Sequence, residues 1–169
     1  HVTDVDAAMR PGAPALHEDA ADESVPDGWS KNVVRRYEFG HGDVDAGFAA
    51  ADEVVERSFR TEAAHQRYIE PHASDASFGG DGQADLWCCT QGQYMVRATC
   101  AGIMGIEVAQ LRVTASEIGG GFGGKTTVFI EPVALALSRK AGKPVKIVMS
   151  REEVFRATGP TSSSSIDVK

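Results

Sequence analysis

Five of the six residues from Gly119 to Gly124 are glycines, in the run Gly119-Gly120-Gly121-Phe122-Gly123-Gly124-Lys125-Thr126. The letters fit Gly-x-x-x-x-Gly-Lys-[Ser/Thr], with a strand expected before them and a helix after. That pattern admits a nucleotide-binding domain, in which backbone N–H groups cradle phosphate and Lys125 reaches the terminal one. Three features argue against it. Pro132 falls six or seven residues into a helix begun at Lys125, where its ring would strike the carbonyl four residues back. The strand at Val145 to Met149 ends in Ser150-Arg151 rather than in an aspartate for magnesium. About 43 residues follow the loop, too few for the remaining parallel strands.

A linker is the plainer alternative. Linker glycines are usually mixed with serine and polar residues. This run lies between two ordered-looking segments with one aromatic at its centre. It reads instead as a close backbone approach to a large ligand, with Phe122 offering a ring face.

Composition narrows the partners. A chain of 169 residues with 42% apolar side chains can bury a core. A net charge of −7 argues against nucleic acid. No run approaches the ~20 apolar residues of a membrane helix, and no membrane partner is expected. Cys88, Cys89 and Cys100 have no metal-site spacing. They read as buried, reduced thiols in a cytoplasmic protein. The start, His1-Val-Thr-Asp-Val-Asp, has neither a leader nor an initiator Met, so an excised segment or processed product is expected.

Residues 1–31 hold Pro-Gly punctuation and the acidic run Glu18 to Glu23. They read as an irregular or partly disordered lead-in to a lobe over 32–169. Val33 to Phe39 alternates like a strand, and Asp43 caps a short helix through Ala51. Glu53 to Thr61 reads as a strand. His72 to Phe78 and Asp85 to Thr90 flank Gly79-Gly80-Asp81-Gly82 as a hairpin. Asp75 is an awkward charge there, so either that face is exposed or the register differs. Gln93 to Met104 and Glu131 to Lys140 read as helices closed by Gly105 and Gly142. Leu111 to Ala115 and Val145 to Met149 read as strands. Ser150 and Glu153 form a capping box, and a last strand begins at Ile166. Hairpins beside crossovers imply an α+β fold with a mixed sheet and short helices.

With the loop placed, a larger constellation emerges. It comprises Ile69-Glu70-Pro71-His72, Cys89-Thr90-Gln91-Gly92, the Glu117 to Lys125 run, Gly142-Lys143-Pro144-Val145-Lys146 and Ser150-Arg151-Glu152-Glu153. Upstream, Tyr37 to Asp45 and Ala51 to Glu56 add to it. Over roughly residues 33–169 the chain resembles the molybdenum-cofactor-binding large subunit of the xanthine dehydrogenase and aldehyde oxidase family.

The resemblance implies one lobe of a molybdopterin-binding domain within an oxidative hydroxylase of aldehydes or aromatic heterocycles. It implies a molybdenum–pterin cofactor, often the cytosine dinucleotide in bacteria. Iron–sulfur and FAD subunits or domains and the rest of the large subunit are the implied partners. The cofactor carries the hard chemistry and the protein orients it. Carried over, Gln91 matches a glutamine that donates to the metal's oxo ligand, and Phe122 a ring near the metal. Neither is a direct ligand. Gly120, Gly121 and Gly123 match the backbone that lies against the cofactor. Lys125 either meets a charged group or ends the loop in solvent, and Glu70 is expected to bond loop N–H groups. Arg97 is placed near the pocket or in an ion pair. No catalytic residue is expected in this segment, because the family's general base lies beyond Lys169. The segment alone is therefore expected to be inactive. Thr126 stands where purine-hydroxylating members carry glutamate, which disfavours purines. Arg67 and Asp75 fall where relatives often have smaller or apolar residues. The chain lacks iron–sulfur and flavin motifs. A lobe that kept the fold and lost the cofactor, a pure scaffold, remains the non-enzymatic alternative.

Overall fold

A computed structural model describes residues 4–20 and 23–169. The chain divides into two compact units, residues 1–55 and 56–169.

The first unit is loop-rich but ordered by side chains. Asp4 caps α1 (Val5–Met9) by accepting from the Ala7 amide at 2.8 Å. This helix lies inside the segment expected to be irregular, where Asp4 and the two alanines supply a cap and helix formers. Asn32 ties the unit together. Its Nδ2 donates to the Ala8 and Pro14 carbonyls at 3.1 and 3.0 Å, and its Oδ1 accepts from the Leu16 amide at 2.8 Å. Asp43 caps α2 (Val44–Ala50) as the sequence predicts. The strand expected over Val33 to Phe39 does not form. Its alternation has no neighbouring strand to pair with among the described residues; Tyr37 and Phe39 stack at 6.2 Å instead.

The second unit carries β1 (Arg57–Thr61), β2 (Ala73–Phe78), β3 (Ala84–Cys88), α3 (Gln93–Met104), β4 (Leu111–Ala115), α4 (Glu131–Ala141), β5 (Val145–Val148), α5 (Arg151–Ala157) and β6 (Ser164–Val168). β1 and β6 form an antiparallel ribbon, and the other strands form a sheet of order β4-β3-β2-β5. β1 is shorter than expected because β6 reaches only Arg57 to Thr61. The β2–β3 hairpin turns on Gly82, at φ +84°, with Asp81 accepting from the Gln83 amide at 3.0 Å. α3 carries the chain over to β4, which runs parallel to β3. The sheet is therefore mixed, as the sequence predicts.

One face of the sheet buries Ala76, Leu86, Cys88 and Leu111 against Val96 and Cys100 of α3 and Ala134 and Leu135 of α4. The pleat sends Asp75 to the other face, half-exposed, where Lys146 of β5 lies 3.8 Å away. The expected register holds and the charge faces outward. Gly105 and Gly142 take the left-handed conformation that closes α3 and α4. Ser150 and Glu153 form the capping box of α5. No helix among the described residues is long and apolar enough to cross a membrane.

This alternation separates costly from cheap substitutions. Leu86→Ala is expected to cost about 2–5 kcal/mol of unfolding free energy. Thr114→Ala, on exposed β4 surface, should stay within about 0.5 kcal/mol. Urea unfolding of the two variants decides it, and similar costs would contradict the buried face assigned to β3.

Candidate functional site

The glycine loop joins β4 to α4, and its inner side lies on two connections of the sheet. Glu70, just before β2, accepts through one oxygen, Oε2, from the Gly119 amide at 2.8 Å and from Lys125 Nζ at 2.6 Å. Gln91, just after β3, accepts through Oε1 from the Gly123 and Lys125 amides at 3.1 and 3.2 Å. Its own backbone amide donates to the Lys125 carbonyl at 2.9 Å, which also accepts from Thr90 Oγ1 at 3.1 Å. Side chains separated by many residues thus hold both ends of the loop.

The glycines are needed on this inner side. A Cβ at Gly119 would lie 2.8 Å from Glu70 Cβ, and one at Gly124 would lie 2.7 Å from Tyr68 Cε1. At Gly121 it would fall on the Gln91 carboxamide. Gly123, at φ +84°, has open space around it. Phe122 also takes a positive φ, +50°, which a bulky residue adopts only under constraint. Its ring is exposed. The amides of Gly120, Gly121 and Phe122 donate no hydrogen bond among the described residues.

Gln91 presents a defined donor. Two backbone N–H groups point at one end of the carboxamide, so that end is the oxygen and the NH2 faces away. The NH2 group donates to nothing among the described residues. The site therefore offers neutral N–H donors from the loop backbone and from Gln91.

Lys125 is fully buried, with its ammonium 5.0 Å above the Tyr68 ring. Of the two roles the sequence leaves open, contact with a charged group is the one realised. This overturns the phosphate-loop reading, because the ammonium is held inward by Glu70 and no helix starts at Lys125. The next helix begins six residues later, at Glu131-Pro132, where proline suits the first turn. Arg97 forms no ion pair among the described residues. Its Nε donates to the Val108 and Leu111 carbonyls at 2.9 and 2.6 Å, tying α3 to the start of β4. Thr126 is exposed and donates to the Gly123 carbonyl at 3.0 Å.

Below the loop, Tyr68 and His72 are buried with Tyr68 Oη 2.9 Å from His72 Nε2. Sequence reasoning missed Tyr68, which has no neighbour in the chain that marks it as the loop's floor. Burial pushes the His72 imidazole down to about 4, helped by the Lys125 charge, so the ring is neutral at pH 7. Burial would raise the Glu70 carboxyl. The hydrogen bonds from Lys125 and Gly119 and the Lys125 charge outweigh it, and the group sits below its usual range. The three cysteines are free and buried, as the sequence predicts. Burial above all pushes the Cys88 and Cys100 thiols up to about 12. No group of three or more potential metal-ligating side chains occurs among the described residues.

The molybdopterin cofactor-binding domain family matches residues 25–169. The chain is 35% identical over 150 residues to a probable xanthine dehydrogenase subunit from Bacillus subtilis, covering 89% of this chain and 19% of the relative. It is 30% identical to the nicotinate dehydrogenase large molybdopterin subunit of Eubacterium barkeri, covering 88% of this chain and 32% of that subunit. Among solved structures, CO dehydrogenase from Oligotropha carboxidovorans superposes with a TM-score of 0.67 at 32% identity, over 89% of this chain and 19% of that one. Aldehyde oxidoreductase from Desulfovibrio gigas gives 0.61 at 28%, over 72% of this chain and 14% of that one. The chain thus spans between about a seventh and a third of these relatives' lengths.

The His72 environment predicts an acid-sensitive fold. Its folded pKa of about 4 lies below the usual 6.5, so its contribution is complete above pH 6.5 and is lost as pH falls towards 4. Across the middle of that window this residue should contribute a slope of about 1.4 kcal/mol per pH unit. In His72→Gln the slope should drop by that amount, as read by urea unfolding at pH 7, 6 and 5.

Proposed function

The chain belongs to the molybdopterin cofactor-binding domain family, and on that premise we propose that Gln91 and the Gly120 to Gly123 backbone form one wall of a molybdenum–pterin site. One observation carries the proposal: the Gln91 oxygen is committed to two loop amides, which leaves its NH2 as an oriented outward donor. Unpartnered amides at Gly120, Gly121 and Phe122 add neutral donors in the same loop. Such a set suits the weakly basic oxygens and ring heteroatoms of a metal–pterin group. When bound, that group supplies the redox chemistry of oxidative hydroxylation, with oxygen taken from water.

This chain's own residues hold and orient. Gln91 donates toward the metal centre without adding charge. Phe122, projecting from the strained turn, walls the substrate space beside it. Neither coordinates the metal. The catalytic base is assigned to residues after Lys169, and the 169 residues alone are expected to be inactive. Cys88, Cys89 and Cys100 are buried in the lobe, which supports placing iron–sulfur groups on partner subunits or domains, and FAD is placed there with them on the resemblance alone. The rest of a large subunit is then a further partner.

The proposed substrate is an aldehyde or an aromatic heterocycle. Thr126 supports this over a purine, because its hydroxyl is spent on the Gly123 carbonyl and brings no carboxylate. The names of the relatives include a nicotinate dehydrogenase and an aldehyde oxidoreductase, which agree with that class, beside a probable xanthine dehydrogenase subunit, whose name denotes a purine. Action in the cytoplasm fits thiols that remain reduced.

Elemental mass spectrometry of the native protein containing this segment tests the proposal. About one molybdenum per polypeptide is expected, one group per site. Mass analysis of the released pterin identifies its form, for which the cytosine dinucleotide is proposed. Gly121→Ala, which drives a methyl group into Gln91, should lower molybdenum retention about tenfold. Metal-free protein from molybdate-replete growth would favour the scaffold reading.

A further inference from the structure

Lys125 is tied at three points. Its amide donates to Gln91 Oε1, its carbonyl accepts from the Gln91 backbone amide and Thr90 Oγ1, and its Nζ donates to Glu70 Oε2. The amides that fix Gln91 belong to Gly123 and Lys125, and both lie in the turn that the lysine side chain anchors from below. Glu70 anchors the same loop at its other end, through the Gly119 amide. A glycine-rich segment has little conformational preference of its own, so the two amides must be aimed by something else. The Tyr68 ring packs against Gly124 and lies 5.0 Å from the Lys125 ammonium.

We propose that the Glu70–Lys125 pair, with its ammonium buried and its carboxylate part-exposed, is a positioning device for Gln91: by seating Lys125 it aims the Gly123 and Lys125 amides at the Gln91 oxygen and so turns the carboxamide NH2 outward. Glu70 and Lys125 are positioning residues and do not themselves touch the cofactor. The proposal rests on the site reading above only where it says what the outward NH2 meets.

Amide hydrogen exchange, read to single residues by fragmentation mass spectrometry on the native protein containing this segment, tests it. Glu70→Gln combined with Lys125→Met removes both charges together and leaves no unpaired buried ion. Glu70→Asp keeps the charge pair but draws the carboxylate back by one methylene, and it serves if the double variant does not fold. In either variant, exchange at the Gly123 and Lys125 amides should rise about tenfold, while the Leu86 amide in β3 stays protected. Gln91→Ala should give the same local rise and add nothing on top of the double variant, as expected for groups acting in one chain of contacts. Unchanged exchange at Gly123 and Lys125 overturns the proposal. So does an equal rise at Leu86, which marks general loosening. Molybdenum content of the native protein carrying the double variant separates the two readings. Faster loop exchange with full metal content keeps the positioning role and removes Gln91 from the cofactor's surroundings.

Discussion

A lysine ammonium buried out of contact with water, on one carboxylate oxygen 2.6 Å away, is the constraint around which the lobe is arranged. Taking such a charge from water costs several kcal/mol, and a single ion pair recovers that only with good geometry and further hydrogen bonds. Both conditions are met here. The same Glu70 oxygen takes the Gly119 amide, and the ammonium lies over the Tyr68 ring. Because the Glu70 carboxylate keeps some contact with water, its own desolvation cost is smaller, and the main penalty of losing it would be the unpaired ammonium left inside the lobe. What the pair secures is a unique conformation for a segment with none of its own.

The loop has two sides with opposite requirements. Towards the lobe, Gly119, Gly121 and Gly124 must lack a Cβ because Glu70, Gln91 and Tyr68 already fill the space. Away from it, the backbone keeps donors that have no partner among the described residues, and one exposed ring. The resemblance assigned Gly121 to cofactor approach. The structure gives it a packing reason as well, since any larger residue displaces the Gln91 carboxamide. Phe122 at positive φ is the strained point between the two sides, and it is held by neighbours that are themselves tied down.

Much of this was legible in the sequence where local chemistry decides the outcome. The capping box and terminal glycines marked α3, α4 and α5, and the Gly79 to Gly82 turn marked the hairpin. The glycine run stood out by its letters, whereas Gln91 was marked only by the family resemblance. Reading failed where a partner distant in sequence decides. Val33 to Phe39 has the alternation of a strand but no strand beside it among the described residues. Lys125 has the letters of a phosphate ligand, yet its fate is set by Glu70, 55 residues earlier. Arg97 looked available for charge pairing and is spent on two carbonyls of the following connection.

The distinction between a phosphate loop and this loop is therefore electrostatic rather than one of pattern. A phosphate site needs a free cation and a helix N-terminus at the end of the glycine run. Here the cation is neutralised inside the lobe, the helix starts six residues later, and His72 behind them is uncharged at neutral pH. The described part of the loop presents N–H groups without a formal charge. Donors of that kind discriminate by direction more than by attraction, which suits a large group already placed by other segments. They would hold a mobile polyphosphate poorly. A carboxamide with its oxygen pinned is stricter still, since it can offer only its two N–H bonds, and only where the loop aims them.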